Sequence, residues 1–167
     1  MPITLEQVLQ ARDHRADRQR FMLQAYGLPL VSLTVVMPGS EKRTPTSLYI
    51  AQKAIEAIEN RFSIAEMEKE DLPTGYEARY AIDMEALSLK RATVAIEESH
   101  PLGRLFDIDV IDSNGSPISR EQIGEEPREC LVCGELSAAC VRSRRHSVPE
   151  VLDVIETMVM EYKQEHD

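Results

Sequence analysis

The sequence contains no tryptophan, only 5% aromatic residues and three cysteines among 167 residues. So few rings leave no visible stacking platform for single-stranded nucleic acid. The formal net charge of −10 argues in the same direction, because a general nucleic-acid binder needs a basic footprint. A local positive pocket for one phosphorylated ligand stays compatible with that charge. No apolar run approaches the roughly 18 residues of a membrane span. The opening MPITLEQ lacks the basic segment and apolar run of a secretory signal, so a cytoplasmic location is expected. An odd number of cysteines, bunched at Cys130, Cys133 and Cys140, makes a poor disulfide framework. The phosphate-loop pattern GxxxxGK[ST] is missing as well.

What is present is ordinary for a soluble globular protein: 43% hydrophobic and 29% charged residues. The length suits a single domain, 1–167, with a sizeable core. Thr4-Leu5-Glu6-Gln7 reads as a capping box that opens a helix. Leu5, Val8, Leu9, Ala16 and Leu23 fall on one face of it, and Gly27 with Pro29 ends it. Residues 30–37, LVSLTVVM, form a nearly continuous apolar run, as expected of a central strand buried on both faces. Thr44-Pro45 opens a second helix, whose buried stripe is Leu48, Ala51, Ile55, Ile58 and Phe62. Residues 63–75 read as an exposed polar stretch. A short strand at 76–82, a short helix at 84–90 and two hairpin strands at 92–98 and 104–112 are expected. Residues 113–134 are turn-rich, and a short helix follows over 135–142. Ser147-Val148-Pro149-Glu150 opens a last amphipathic helix with Val151, Leu152, Ile155, Met158, Val159 and Tyr162 inward. This mixture predicts an α+β domain with a mixed or antiparallel sheet packed with helices.

The chemistry is most legible in HPLGRLFDIDVID, from His100 to Asp112. Asp107 and Asp109 stand two residues apart among Ile108, Val110 and Ile111, so on a strand both carboxylates share a face. Their Cα atoms would be roughly 7 Å apart. With the carboxylates about 5 Å apart, repulsion is on the order of 3 kcal/mol at an effective dielectric near 20. A divalent cation turns that repulsion into attraction, and hard oxygen ligands suit Mg²⁺, which usually brings phosphate groups with it. The other reading is an open sheet face carrying alternating acids. If ATVAIEES is the second arm of a hairpin, Glu97 or Glu98 lies near the pair across the ladder as a third acidic ligand. Gly103-Arg104 offers close backbone approach and a fixed positive charge.

HPLGRLFDIDV, together with ISREQIGEEPRECLVCGELSAACVRSRRH, resembles the citrate lyase holo-acyl-carrier-protein synthase family, the apo-citrate lyase phosphoribosyl-dephospho-CoA transferases. Gln10-Ala11-Arg12-Asp13 and PLVSLTVVMPG (Pro29 to Gly39) extend the resemblance over most of the chain, from Arg12 to His146. It implies transfer of a prosthetic group from triphosphoribosyl-dephospho-CoA to a serine of the citrate lyase acyl carrier protein (the gamma chain), with pyrophosphate leaving. That is a nucleotidyl-type transfer, which a metal-holding carboxylate pair would serve. It makes a nucleotidyltransferase-like fold one expectation. Against it, no Gly-Ser turn stands shortly before Asp107, where nucleotidyltransferases with an acidic strand pair commonly carry one. Gly39-Ser40 lies much farther back.

The remaining candidates each carry two readings. Arg12 continues the first helix's apolar stripe, so it either buries its stem and keeps its head in water or projects toward triphosphate. Asp13, Arg15 and Arg18 read as solvated helix surface. Lys42 and Arg43 sit between a buried strand and a helix N-terminus, a place that favours phosphate; Lys42 is the preferred one. His100 is either polar filler in a turn or a catalytic group that binds phosphate or helps deprotonate the incoming serine. Arg104 and Arg128 can grip phosphate with forked geometry or pair with Glu125, Glu126 or Glu129. Cys130, Cys133, Cys140 and His146 offer a ligand set for zinc, the Cys-x-x-Cys-Gly turn resembling a zinc knuckle. A reduced buried cluster and a nucleophilic thiol are the alternatives. If only that set matters, the protein is a small zinc-binding interaction module without catalytic activity. Arg142, Arg144, Arg145 and His146 form the densest positive cluster, suited to steering an acidic carrier protein. Arg142 is the member best placed to face the donor instead.

Overall fold

Period-two alternation gives the sheet two unlike faces. The computed structural model describes residues 2–167. Its four strands are β1 (Leu30–Val35), β2 (Glu66–Leu72), β3 (Gly75–Ala81) and β4 (Phe106–Ile111), in the order β2-β3-β1-β4. Every neighbouring pair is antiparallel. On one face, Val31, Leu33, Ala78, Tyr80, Phe106, Ile108 and Val110 join a single buried apolar cluster. Helices α2 (Pro45–Arg61), α3 (Ala86–Ser99) and α5 (Val148–His166) cover it through Ile50, Ala54, Ile58, Leu89, Ile96, Ile155 and Val159. Each of the Val, Leu, Ile and Phe side chains among them gains roughly 1.5–3 kcal/mol on burial, so this layer is the main source of stability. As LVSLTVVM predicted, β1 is interior, and Leu30 to Leu33 are all buried. A short helix, α4 (Ser137–Ser143), precedes α5.

The opposite face carries Ser32, Glu68, Glu70, Glu77, Arg79, Asp107 and Asp109, and α1 (Leu5–Tyr26) lies over it. Here the expected apolar stripe fails. Leu5 is 74% exposed, Leu9 is exposed too, and Met22 is the only buried residue of α1. Polar contacts hold the helix instead: the ion pairs Arg15 to Glu77 and Arg18 to Glu68, and a hydrogen bond between His14 Nε2 and Glu70 Oε1. Arg15 and Arg18 are therefore not the solvated surface residues that the sequence suggested. Gln19 Nε2 adds a hydrogen bond to Ser32 Oγ at 3.0 Å. Only at its C-terminal end does α1 bury apolar surface, where Met22 meets Leu30, Ala81 and Ile111. Arg79, with no solvent exposure, donates to Glu68, Glu70 and Glu77 from the centre of this layer.

Two further expectations are corrected. Residues 63–75, read as an exposed stretch, contain β2, which pairs with β3 from Glu66↔Ala81 to Leu72↔Gly75. The inward positions of β2 are Glu68 and Glu70, so the apolar alternation that betrays a strand is replaced by charge. Residues 92–98, read as a hairpin arm, are helical in α3. Leu89, Ala92, Thr93 and Ile96 bury one helical face, and the Glu85 carboxylate caps the helix by accepting from the Ser88 N–H at 2.7 Å. A short apolar run fits either period, and the cap with its continuous buried face favours the helix.

Candidate active site

Asp107 and Asp109 project from β4 on the α1 side, opposite Thr34 and Ser32 of β1. Both side chains reach solvent. Among the described residues, neither has a hydrogen-bond or ion-pair partner. Asp109 is nonetheless recessed among its neighbours. That desolvation raises its pKa above the ordinary carboxylate value, and repulsion from Asp107 raises it further; Lys90 opposes both. Such a pair gains when a cation arrives.

A cleft of 260 Å³ opens beside it, walled by Val8, Arg12 and Arg15 of α1, Thr34, Glu77, Asp107 and Lys42. Arg12 is exposed and, among the described residues, has no hydrogen-bond or ion-pair partner. Lys42 Nζ donates to the Met37 carbonyl at 2.5 Å, and burial lowers its pKa. Arg15 is already committed, its Nε and Nη2 donating to the two oxygens of Glu77 at 3.1 and 2.8 Å.

The fold thus brings Asp107, Asp109, Arg12 and Lys42 to one side of the sheet and leaves the other candidates elsewhere. His100 caps the C-terminus of α3, and its Nδ1 accepts from the Leu102 N–H at 2.9 Å. Its ring lies 4.9 Å from Phe106 and 5.6 Å from Tyr162, on the apolar side of β4, away from the acids. Burial lowers its pKa. Arg104 Nε donates to the Glu129 carbonyl at 2.9 Å. Arg128 Nη2 donates to the Gly103 carbonyl at 2.9 Å and lies 3.5 Å from Glu97. Arg142 is exposed on α4 and does not line the cleft. Glu97 and Glu98 are not cross-strand partners of the aspartates, because their segment is helical. Glu97 accepts from the Ile108 N–H at 3.2 Å and pairs with Arg120 at 2.9 Å, while Glu98 pairs with the same Arg120. Glu97 thereby satisfies an edge donor of β4. The close approach at Gly103 is likewise to α3: a Cβ there would stand 2.1 Å from the Glu97 carbonyl oxygen.

Sequence reasoning missed Arg15, Glu77 and Thr34 as walls of the cleft. Arg12, Arg15 and Arg18 recur every three residues, and that basic stripe was the available signal. Glu77 gave none, since its partner lies 62 residues away.

A second cluster stands apart. One ligand atom from each of Cys130, Cys133, Cys140 and His146 can be chosen so that all four lie within 4.8 Å of one another, an arrangement that could hold a metal ion. The cysteines are free, and the Cys133 and Cys140 sulfurs are 3.5 Å apart, far beyond the roughly 2.05 Å of a disulfide. An N–H from the Glu135 backbone, then His146, lowers the Cys133 pKa, whereas burial raises that of Cys140.

An acidic strand pair thus stands beside a cleft that sets Asp107 among the cations Arg12, Arg15 and Lys42, of which Arg12 is unpaired among the described residues. Residues 3–162 match the family of apo-citrate lyase phosphoribosyl-dephospho-CoA transferases, and the chain belongs to that family. A relative from Escherichia coli bearing that name is 34% identical over 162 residues, covering 94% of this chain and 88% of its own length. One from Shigella boydii shows the same figures. Protein CitXG of Haemophilus influenzae is 35% identical over 99% of this chain, which spans 36% of that longer protein. Among the described residues, no helix is long and apolar enough to cross a membrane.

Proposed function

We propose that the cleft beneath α1 receives the triphosphate of triphosphoribosyl-dephospho-CoA. In this nucleotidyltransferase-type reaction the group is transferred to a serine of the apo-citrate lyase acyl carrier protein. The observation that carries the reading is that Asp107 and Arg12 line one cleft and neither is neutralised by a partner. Unpaired charges of both signs held side by side suit a ligand that is itself a metal-bound polyanion.

Asp107 and Asp109 fit a divalent cation, with only carboxylate oxygens on offer and a mutual repulsion to relieve. Bound there, Mg²⁺ would supply charge neutralisation to the triphosphate. Arg12 and Lys42 take phosphate oxygens, Lys42 giving up its bond to Met37. The carrier serine Oγ forms a bond to the phosphorus next to ribose. The bond from that phosphorus to the outer phosphates breaks, pyrophosphate leaves with the electron pair, and the serine proton passes to solvent water. Positioning and charge stabilisation do most of the work. Arg142, Arg144 and Arg145, all exposed, form a basic patch for steering an acidic carrier. The reaction is cytoplasmic in this reading, where thiols stay reduced. Zinc, the ion suited to the Cys₃His cluster, takes no step of the transfer.

A metal-binding module without catalysis is the weaker reading, because the family match covers residues 3–162 and the acidic cleft would then have no use. The test incubates the protein with apo carrier, donor and Mg²⁺ and weighs the carrier. A mass gain equal to the phosphoribosyl-dephospho-CoA group, located on one serine, is expected. No gain with a carrier and donor proven competent would overturn the proposal.

A further inference from the structure

The stretch from Gly124 to Glu150 has too little apolar burial to hold itself together. Cys140 is its only buried residue. Yet the segment has a defined backbone. Glu129 and Leu136 form an antiparallel bridge around the Cys130–Cys133 turn. Gly134, immediately after Cys133, takes φ +77°, the left-handed conformation that lets the chain turn back. The Val132 N–H donates to the Cys130 sulfur at 3.4 Å. The Cys130 N–H in turn donates to the Glu135 carbonyl. N–H groups aimed at a sulfur favour the thiolate, which is the metal-binding form.

His146 supplies an independent observation. Its Nδ1 lies 3.2 Å from Glu150 Oε1, while its Nε2 is buried and has no hydrogen-bond partner. A buried imidazole nitrogen without a partner is costly. A carboxylate on one ring nitrogen that leaves the other free as a donor to an ion is the usual arrangement around a metal-ligating histidine. The ligand atoms of all four residues lie within 4.8 Å of one another. In a tetrahedral site with Zn–S near 2.3 Å the sulfurs are about 3.8 Å apart, and Cys133 and Cys140 are at 3.5 Å.

We propose that Cys130, Cys133, Cys140 and His146 bind one structural Zn²⁺, oriented by Glu150, and that this ion substitutes for a hydrophobic core in residues 128–147. Three thiolates and an imidazole select zinc over Mg²⁺ or Ca²⁺. Four protein ligands close the coordination sphere, so the ion organises the chain and activates no water. Three hydrogen bonds tie the zinc-held segment to the turn that leads into β4: Arg128 to the Gly103 carbonyl, Arg104 to the Glu129 carbonyl and Arg104 to the Ser137 hydroxyl. The site does not depend on the transfer reaction, and its test reads metal and local order.

Protein purified without chelator is assayed for metal by elemental analysis, then exchanged with Co²⁺. About one zinc per chain is expected. The cobalt form should show a thiolate-to-metal charge-transfer band and the intense visible bands of a tetrahedral site. Cys133→Ser should lose both. Removing zinc from the wild-type protein should abolish hydrogen-exchange protection at residues 128–147 while leaving β1 and β3 protected. Glu150→Gln should weaken zinc binding roughly tenfold or more without preventing it. Zinc-loaded reduced protein that holds no ion against a competing chelator would overturn the site. So would Cys133→Ser binding with wild-type affinity, or unchanged exchange at 128–147 after zinc removal. Wild-type zinc affinity in Glu150→Gln would remove Glu150 from the assignment.

Discussion

Arg15 of α1 and Glu77 of β3 meet in a two-pronged ion pair, 3.1 and 2.8 Å across its two hydrogen bonds, at the back of the acidic cleft. The Glu77 side chain is only 3% exposed, and it also accepts from the fully buried Arg79 at 3.1 Å. This contact makes α1 a wall of the cleft although the helix has almost no apolar face. A charged layer is thus both a structural device and the floor of the proposed donor site.

That layer has a thermodynamic signature. Removing one member of a buried pair strands its partners' charge, at a cost of roughly 3–5 kcal/mol. Glu77→Ala leaves Arg15 and Arg79 facing each other and should lower the unfolding free energy read from urea titration by that order. Arg43→Ala breaks an ion pair with Asp71 whose side chains are 47% and 43% exposed, and it should change stability by under about 1 kcal/mol. Comparable losses for the two variants would mean that the layer under α1 is no tighter than the surface.

The acidic pair should separate activity from stability. Asp107→Asn and Asp109→Asn each keep shape but lose a hard anionic ligand, and each should remove nearly all transfer. Asp109 has its pKa raised in the folded protein, by desolvation and by Asp107. A raised carboxyl disfavours folding when ionised, and that cost fades as pH falls through the raised pKa toward the unfolded value. Asp109→Asn should therefore melt at or above the wild-type temperature at pH 7, the difference shrinking in acid. An inactive variant that melts well below wild type would point to a structural role.

Arg12 decides between a snorkelling side chain and a phosphate ligand. It lines the cleft, exposed and with no partner among the described residues. Arg12→Ala should leave the melting temperature unchanged and weaken donor binding. One charged hydrogen bond to phosphate is worth roughly 1.5–3 kcal/mol, so titration calorimetry should read a loss of about ten- to a hundredfold. Unaltered donor affinity would assign the triphosphate to another surface.

The apolar half of the fold was legible because period-two and period-3.6 patterns survive wherever side chains bury against α2, α3 and α5. LVSLTVVM and the stripe of α5 were read correctly, and α2 in part: Ala51, Ile58 and Phe62 are buried, but Ile50 and Ala54 take the centre of its inward face rather than Leu48 and Ile55. The charged half was not. In β2 the inward residues are Glu68 and Glu70, and in α1 they are Arg15 and Arg18, so a strand looked like a loop and the packing face of a helix was assigned to Leu5, Val8 and Leu9 instead of the arginines. The aspartates could be placed on one face because that follows from the strand period alone. Their true neighbours could not: the ATVAIEES segment fits two periods, and choosing the strand put Glu97 or Glu98 beside them. Glu97 instead holds the β4 edge, and Gly103 leaves room for the α3 backbone. The Cys-x-x-Cys-Gly spacing was visible, whereas the orienting contact of Glu150 with His146 required coordinates.

Acid should weaken the layer under α1. The Glu68 carboxyl is lowered to about 2, foremost by the hydrogen bonds from Arg18 and with further help from Arg79, against the opposing effect of burial. A carboxyl with its folded pKa below its unfolded value contributes stability that is complete above the unfolded value and lost as pH falls through the folded one. The window therefore runs from about 4.5 down to about 2. Glu70, Asp71 and Glu59 are lowered as well, so replacing Glu68 alone reduces the acid dependence without abolishing it. Glu68→Gln should lower the melting temperature at pH 7, where the ionised carboxylate grips Arg18 and Arg79. Its deficit should narrow steadily below pH 4.5 and nearly close at pH 2, where about half of the wild-type carboxyl is protonated in the folded protein too. Thermal melts of both proteins across that range check the sign directly. Parallel curves at all pH values would show that Glu68 gains nothing from its arginines, and that α1 is held by Glu77 and the Met22 cluster alone.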